Sequence, residues 1–173
     1  MQAETQRMRI ADGVLMEMEQ EAETTRRLFN VIPDDKLSWR PHPKAMSLGE
    51  LAMHVATIPG AIAELGRNDS HEAGPIPGPE EATSRAQIIA TFAESLAAGK
   101  AIVGGTDDVR AMAEWSLTKE RRTLMSMPRA AFWRMILLNH NYHHRGQLST
   151  YLRELDVELP SIYGPSADTN PFA

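Results

Sequence analysis

Six histidines, His42, His54, His71, His140, His143 and His144, are the side chains best suited to chemistry in this chain, and three of them fall where an apolar residue is expected. Between 133 and 155, Trp133, Leu137, His140, His144, Leu148, Tyr151 and Leu155 recur at steps of three and four. At 100° per residue they share a sector of roughly 80° on one helix face. His140 and His144 therefore stand within an apolar stripe. His54 does the same on a second segment, whose face reads Leu51, His54, Val55, Ile58, Ile62, Leu65. Two imidazoles at i and i+4 have Cβ atoms about 6 Å apart and can hold one divalent ion at about 2.1 Å. A third from another helix facing the same core completes a three-nitrogen set with a position left for water. That is the pattern of a catalytic rather than a closed structural metal site.

Other pairings and other readings compete. His143 lies about 100° from the centre of the stripe, beside Asn139, Gln147 and Thr150, on the polar flank. His140 with His143 also has workable spacing but would draw an ion toward the edge of a bundle, so His140 with His144 is preferred. The bland alternative is a set of core imidazoles satisfied by carbonyls, although two neutral imidazoles among leucines need two partners. His42 and His71 lie in loop sequence and are expected to be solvated. The absence of cysteine excludes disulfides, thiolate zinc sites and a cysteine nucleophile. Ser47, Ser149 and Ser161 lack a base and an orienting acid, so a serine nucleophile is not supported. Arg145, Gly146 and Gln147 interrupt the apolar pattern directly after the histidines. Glycine inside a helix costs about 1 kcal/mol against alanine, so Gly146 predicts close approach by another backbone. Gln147 or Arg145 could orient a ligand, with a solvated helix face as the alternative.

The elements that must carry these residues are helices. With 173 residues the chain fits one domain, 1–173. Its hydrophobic share of 42% rises to about 46% when Gly is added and Tyr removed, inside the globular range. Apolar periodicity predicts a helix from about Thr5 to Val31, ended by Pro33. A second helix over 47–65 opens on a capping box, Ser47 with Glu50, and contains Pro59, which predicts a bend beyond His54. A third runs over 84–103, with Gln87 as the partner of Ser84 and Gly104-Gly105 as its stop. The fourth runs over 128–155 with Pro128 in its first turn. Residues 66–83 are a linker, 106–127 suit an extended excursion as well as helix, and 156–173 form an irregular tail punctuated by Pro160, Gly164, Pro165 and Pro171. Four amphipathic helices predict an all-α fold, a four-helix bundle with long inter-helix connections.

Lys and Arg number 18 against 23 Asp and Glu, a net charge of −5 with only a short Lys119, Arg121, Arg122 cluster, so nucleic acid is not expected as a partner. No apolar run approaches the roughly 18 residues of a membrane span, and residues 1–13 lack the apolar core of a signal peptide. A cytoplasmic location is expected.

Four blocks then carry a resemblance: WRPHP at 39–43, SLGELAMH at 47–54, HNYHHRGQL at 140–148 and PSIYGPSAD at 160–168. In this order they resemble the DinB/YfiT-like family of metal-dependent proteins over about 37–168. The resemblance implies a four-helix bundle with an unusual connection order, and a divalent metal held by His54, His140 and His144, with Zn²⁺ or Ni²⁺ favoured. It implies a metal-bound water or a low-molecular-weight thiol as the attacking group, hydrolysis or S-transfer on a small molecule, and a homodimer. Beside the metal ligands, His143, Arg145, Gln147, Tyr163 and Asp168 are candidates for the surrounding shell or for substrate, the tail with Tyr163 and Asp168 folding over the bundle mouth and Arg145 holding an anion. The competing functional class is a metal-binding or stress-responsive interaction protein without turnover; a bundle whose core histidines are structural remnants is the third.

Overall fold

In the computed structural model, which describes residues 7–173, helix starts coincide with side chains that accept orphan backbone N–H groups. The first helix, expected from about Thr5, begins only at Ile10, since Arg7, Met8 and Arg9 are not helical; Thr5 itself lies outside the described residues. α1 (Ile10–Asn30) opens with the Arg9 amide bonded to the Asp12 carboxylate at 2.8 Å. α2 (Leu48–Leu65) opens with a reciprocal pair: the Glu50 amide donates to Ser47 Oγ at 3.1 Å and the Ser47 amide to Glu50 Oε2 at 2.6 Å. α3 (Arg85–Gly104) is capped by Ser84, which accepts from the Gln87 amide at 3.2 Å. A short α4 (Asp108–Met112) is capped by Asp107. The last rod is continuous but uneven: α5 (Arg129–Phe132), a π-helical stretch (Trp133–Asn139) and α6 (His140–Glu154).

α2 packs on α3 and α6, and α1 packs on α3, so the four long rods share one core that includes Leu28, Phe29, Val55, Phe92, Trp133 and Leu148. The closest approach is between α2 and α3. A Cβ placed on Gly99 would lie 2.5 Å from the Pro59 carbonyl oxygen, so only glycine lets these two backbones meet. Ser95, one turn earlier on α3, braces the same place: it accepts from the Gly60 amide at 2.8 Å and donates to the Thr57 carbonyl at 2.9 Å. The close approach predicted for Gly146 is absent, since nothing stands within 4 Å of where its side chain would begin.

The expectation of an all-α fold is corrected by a three-stranded mixed sheet in the order β1-β2-β3. β2 (Glu114–Lys119) and β3 (Arg122–Pro128) form an antiparallel hairpin with a bulge at Leu117/Thr118. Its two-residue turn, Glu120 and Arg121, has φ of 49° and 68° at residues that rarely adopt such values. Neither residue is the Asn or Gly that marks such turns in sequence, which hides the hairpin from pattern reading. β1 (Ser70–Glu72) lies in the stretch read as linker and pairs in parallel with β2. Its three residues have no strand signal of their own. Tertiary partners hold it: the Glu72 carboxylate accepts from the Thr118 hydroxyl and the Glu120 amide, each at 2.7 Å. Trp115 fastens the sheet to the rods, its buried ring against Phe132 and its Nε1 donating to the Leu65 carbonyl at 3.1 Å.

Among the described helices, α3 is long and apolar enough by composition to cross a membrane. Ile88, Phe92, Leu96 and Val103 on one of its faces are instead buried in the shared core.

Gly99→Ala is expected to destabilise the protein by about 1–3 kcal/mol through overpacking against Pro59, read as a lower denaturant midpoint at unchanged slope.

Candidate metal centre

Two rods, α2 and α6, must be in register for the histidines to meet, and a proline sets that register. Pro59 has no N–H, so the Val55 carbonyl four residues earlier loses its helical donor. Asn141, buried on α6, supplies the replacement: its Nδ2 donates to the Val55 oxygen at 3.1 Å. Leaving such a buried carbonyl unpaired costs about 1–3 kcal/mol, so α6 is held against α2 at one particular height. His54 precedes Val55 and His140 precedes Asn141, and this bond brings the two imidazoles together.

The π-helical stretch decides which side of α6 does the meeting. Its i→i+5 turns hold an extra residue, so the inward position that regular helix geometry gives to His140 falls to Asn141. The buried residues of α6 are Asn141, Arg145, Leu148 and Leu152. His140, His144 and Tyr151 are half-buried at the edge of that stripe.

His140 Nε2 lies 3.4 Å from His54 Nε2 and 2.8 Å from His144 Nε2, and one ligand nitrogen from each ring falls within 4.8 Å of the others. An ion at about 2.1 Å from its ligands spaces them about 3.4 Å apart in tetrahedral and about 3.0 Å in octahedral geometry, so the residues fit a divalent cation. A proton between two rings would account for the 2.8 Å separation alone; a cation accounts for all three rings. Gln147 Oε1 lies 2.7 Å from His144 Nδ1. As an acceptor there it fixes the proton on Nδ1 and turns the Nε2 lone pair toward the other rings. His140 Nδ1 is buried near the Ile136 carbonyl without a well-formed hydrogen bond among the described residues.

All three rings favour the neutral form that coordinates metal. Burial, then His144 and His140, lowers the His54 pKa to about 4. Burial lowers His140, with His144 and His143 adding to it and Ile136 opposing. Burial lowers His144 against the opposing hydrogen bond from Gln147.

The remaining candidates divide into two groups. His143 is exposed, its ring 4.9 Å from that of His144. Arg145 is buried on the side facing α1, donating to the Glu21 carboxylate at 2.5 Å, the Glu21 carbonyl at 3.1 Å and Thr25 Oγ1 at 3.2 Å. Tyr163 joins this cluster, accepting from Arg145 and donating to Glu21 at 2.7 Å. Asp168 pairs with Arg153 and accepts from the Leu159 amide at 2.8 Å. Gln147 and His143 are thus brought to the three imidazoles, whereas Arg145, Tyr163 and Asp168 are not. Sequence reasoning missed Asn141 and Glu21. Pro59 inside a helix was the available signal for the first, because it announces an orphan carbonyl four residues back; Glu21 gave none.

Asn141→Ala is expected to cost about 1–3 kcal/mol in wild-type background and clearly less beside Pro59→Ala, which returns a donor to Val55; a double-mutant cycle in urea measures the difference. Unfolded histidines bind protons below a pKa of about 6.5, whereas the folded rings resist them, so stability falls as pH drops from about 6.5 toward about 4. In metal-free protein, melting temperature should decline over that window, and His54→Ala should flatten the decline.

The DinB family model matches residues 1–170. The uncharacterised protein YrdA of Bacillus subtilis (strain 168) is 28% identical over 164 residues, 91% of this chain and 90% of its own. A DinB-like protein of Bacillus cereus superposes with a TM-score of 0.67 at 23% identity, over 88% of this chain and 97% of that one. The DinB-like protein YjoA of Bacillus subtilis gives 0.66 at 19% identity, over 87% and 96%. These two structures speak for the fold, and the family match covers nearly the whole sequence: the chain belongs to the DinB family.

Proposed function

We propose that this protein is a metal-dependent enzyme acting on a small electrophilic molecule, as a hydrolase or a thiol S-transferase. The supporting observation is the convergence of His54, His140 and His144 nitrogens from two helices with the His144 tautomer fixed by Gln147. A divalent cation held there, Zn²⁺ or Ni²⁺ by the nature of the donors, supplies Lewis acidity that lowers the pKa of water or of an incoming low-molecular-weight thiol. The chain contributes the rest. Buried surroundings keep the three rings unprotonated near neutral pH. The Asn141–Val55 bond holds the α2 and α6 ligands at one height. Trp39 packs edge-on to Tyr151, with ring centroids 5.6 Å apart. Tyr151 stands seven residues beyond His144, about 10 Å along α6, and this aromatic pair is the wall for the body of a substrate. The chain lacks cysteine, so a thiol nucleophile comes from a second small molecule. We take the working form to be a cytoplasmic homodimer that requires neither nucleic acid nor membrane.

Protein prepared from its native host without a nickel column is expected to carry one divalent ion per chain by element-specific detection. His144→Ala should lose it, and Gln147→Ala should weaken affinity by about 10- to 100-fold. Incubated with thiols and electrophiles, the loaded protein should turn over where His140→Ala does not. Retained metal with no turnover across the panel would favour the non-catalytic binding protein.

A further inference from the structure

The three imidazoles occupy the middle of α2 and the start of α6. Twelve residues beyond His54, about 18 Å along α2, the C-termini of α2 and α3 frame a separate cleft of about 530 Å³. That volume is typical of small-molecule sites, which run from about 300 to 1,000 Å³. Its lining includes Gly66, Arg67, Ala101, Ile102, Thr106 and Arg110, with Arg129 behind them.

The cationic wall of this cleft is rigidly built. Arg129 is 1% exposed and donates to the carbonyls of Gly66 at 2.5 Å, Arg110 at 2.6 Å and Asn68 at 2.9 Å. Its Nη2 also reaches Asp69 Oδ1 at 2.9 Å. Arg110 donates to that same Asp69 oxygen at 2.5 Å and to the Arg67 carbonyl at 2.6 Å. One carboxylate thus serves two guanidinium groups. Asp107, the acid that lines the cleft, is committed to capping α4, accepting from the Arg110 amide at 2.7 Å. The Gly104 carbonyl at the end of α3 is already bonded to Arg9 Nη1 at 3.0 Å, so the helix ends do not absorb the remaining charge. Arg67, more than half exposed, pairs among the described residues with the equally exposed Glu64 at 3.3 Å. Of the groups that line the cleft, Arg67, Arg110 and Arg129 are cationic and Asp107 is the one acid; their ion-pair partners Asp69 and Glu64 are not part of the lining. Ala101 and Ile102 provide an apolar surface beside the charged groups. Behind Gly66 lies Trp133, fully buried, whose Nε1 has no partner among the described residues and sits 3.3 Å from where a Gly66 side chain would begin.

We propose that this cleft is a second ligand site, remote from the histidine centre, for a small organic anion: a carboxylate or phosphate ester whose charged group sits on Arg67 and Arg110 and whose apolar body lies on Ala101 and Ile102. Charge-assisted hydrogen bonds to guanidinium select the anionic head. The volume of the cleft matches a small molecule.

Metal-free full-length protein is titrated with phenyl phosphate, benzoate and phenol while backbone amide and indole N–H resonances are followed by NMR. The expected result is saturable shifts at Gly66, Thr106 and the Trp133 indole with an anion, none at the Trp39 indole, and none anywhere with phenol. Tighter binding of phenyl phosphate assigns the site to phosphate esters, and tighter binding of benzoate assigns it to carboxylates. Arg67→Glu, at an exposed position that the fold tolerates, should weaken binding at least tenfold. Ala101→Phe, which fills the cleft at unchanged charge, should do the same, whereas His140→Ala should bind as wild type. Absence of saturable shifts with both anions, or affinity indifferent to Arg67→Glu and Ala101→Phe, would overturn the proposal.

Discussion

The Val55 carbonyl, deprived of its helical donor by Pro59, is the buried polar group that ties the arrangement of the rods to the geometry of the histidines. A proline inside a helix ordinarily costs about 3 kcal/mol, partly as a lost hydrogen bond. Here α6 and α3 make good the disturbed backbone: Asn141 reaches the Val55 oxygen, and Ser95 bridges the Thr57 carbonyl and the Gly60 amide. Side-chain packing alone tolerates small sliding of one helix past another. A directed bond in a dry interior does not, and His54 and His140 are each adjacent in sequence to one end of it. The irregularity in α2 is thereby converted into positional precision at the imidazole nitrogens.

Much of this was legible in the residues. The Ser47–Glu50 and Ser84–Gln87 caps mark where α2 and α3 begin because their side chains complete backbone valences locally, without help from the rest of the fold. The apolar stripes drew attention to the same three histidines that stand together in space. What escaped was non-local or turned on a change of period. The π-helical turns of Trp133–Asn139 break the count of 100° per residue, so Asn141 and Arg145 take the inward positions the stripe gave to His140 and His144, while Leu148 is buried as expected. The hairpin turn uses Glu120 and Arg121 in a left-handed conformation, contrary to their own preference. β1 exists only because β2 passes beside it. Tyr163 and Asp168 sit in a proline-rich tail whose course no periodicity describes, and that tail lies against α1 and α6, away from the histidines.

The histidine cluster and the arginine-lined cleft differ in chemical character. Around the imidazoles, burial and mutual repulsion disfavour any added proton, and the groups present are neutral donors of lone pairs. Around Arg129, guanidinium groups outnumber their carboxylates and already satisfy the carbonyl ends of the helices. The histidine cluster is thus suited to a cation and the cleft to an anion, in a chain whose net charge is −5.

The ion pair between Arg145 and Glu21 joins residues 124 positions apart, and His54 meets His140 across 86. Both closures wait for the final third of the chain. During synthesis, α1, α2 and α3 emerge first with the apolar faces meant for the last rod uncovered, and the ligand set has only one of its three members. Contacts of such long range slow folding, since loop entropy must be lost before they form. The nascent protein therefore passes through an interval in which its hydrophobic surface is open to aggregation while no complete coordination site yet exists to stabilise it.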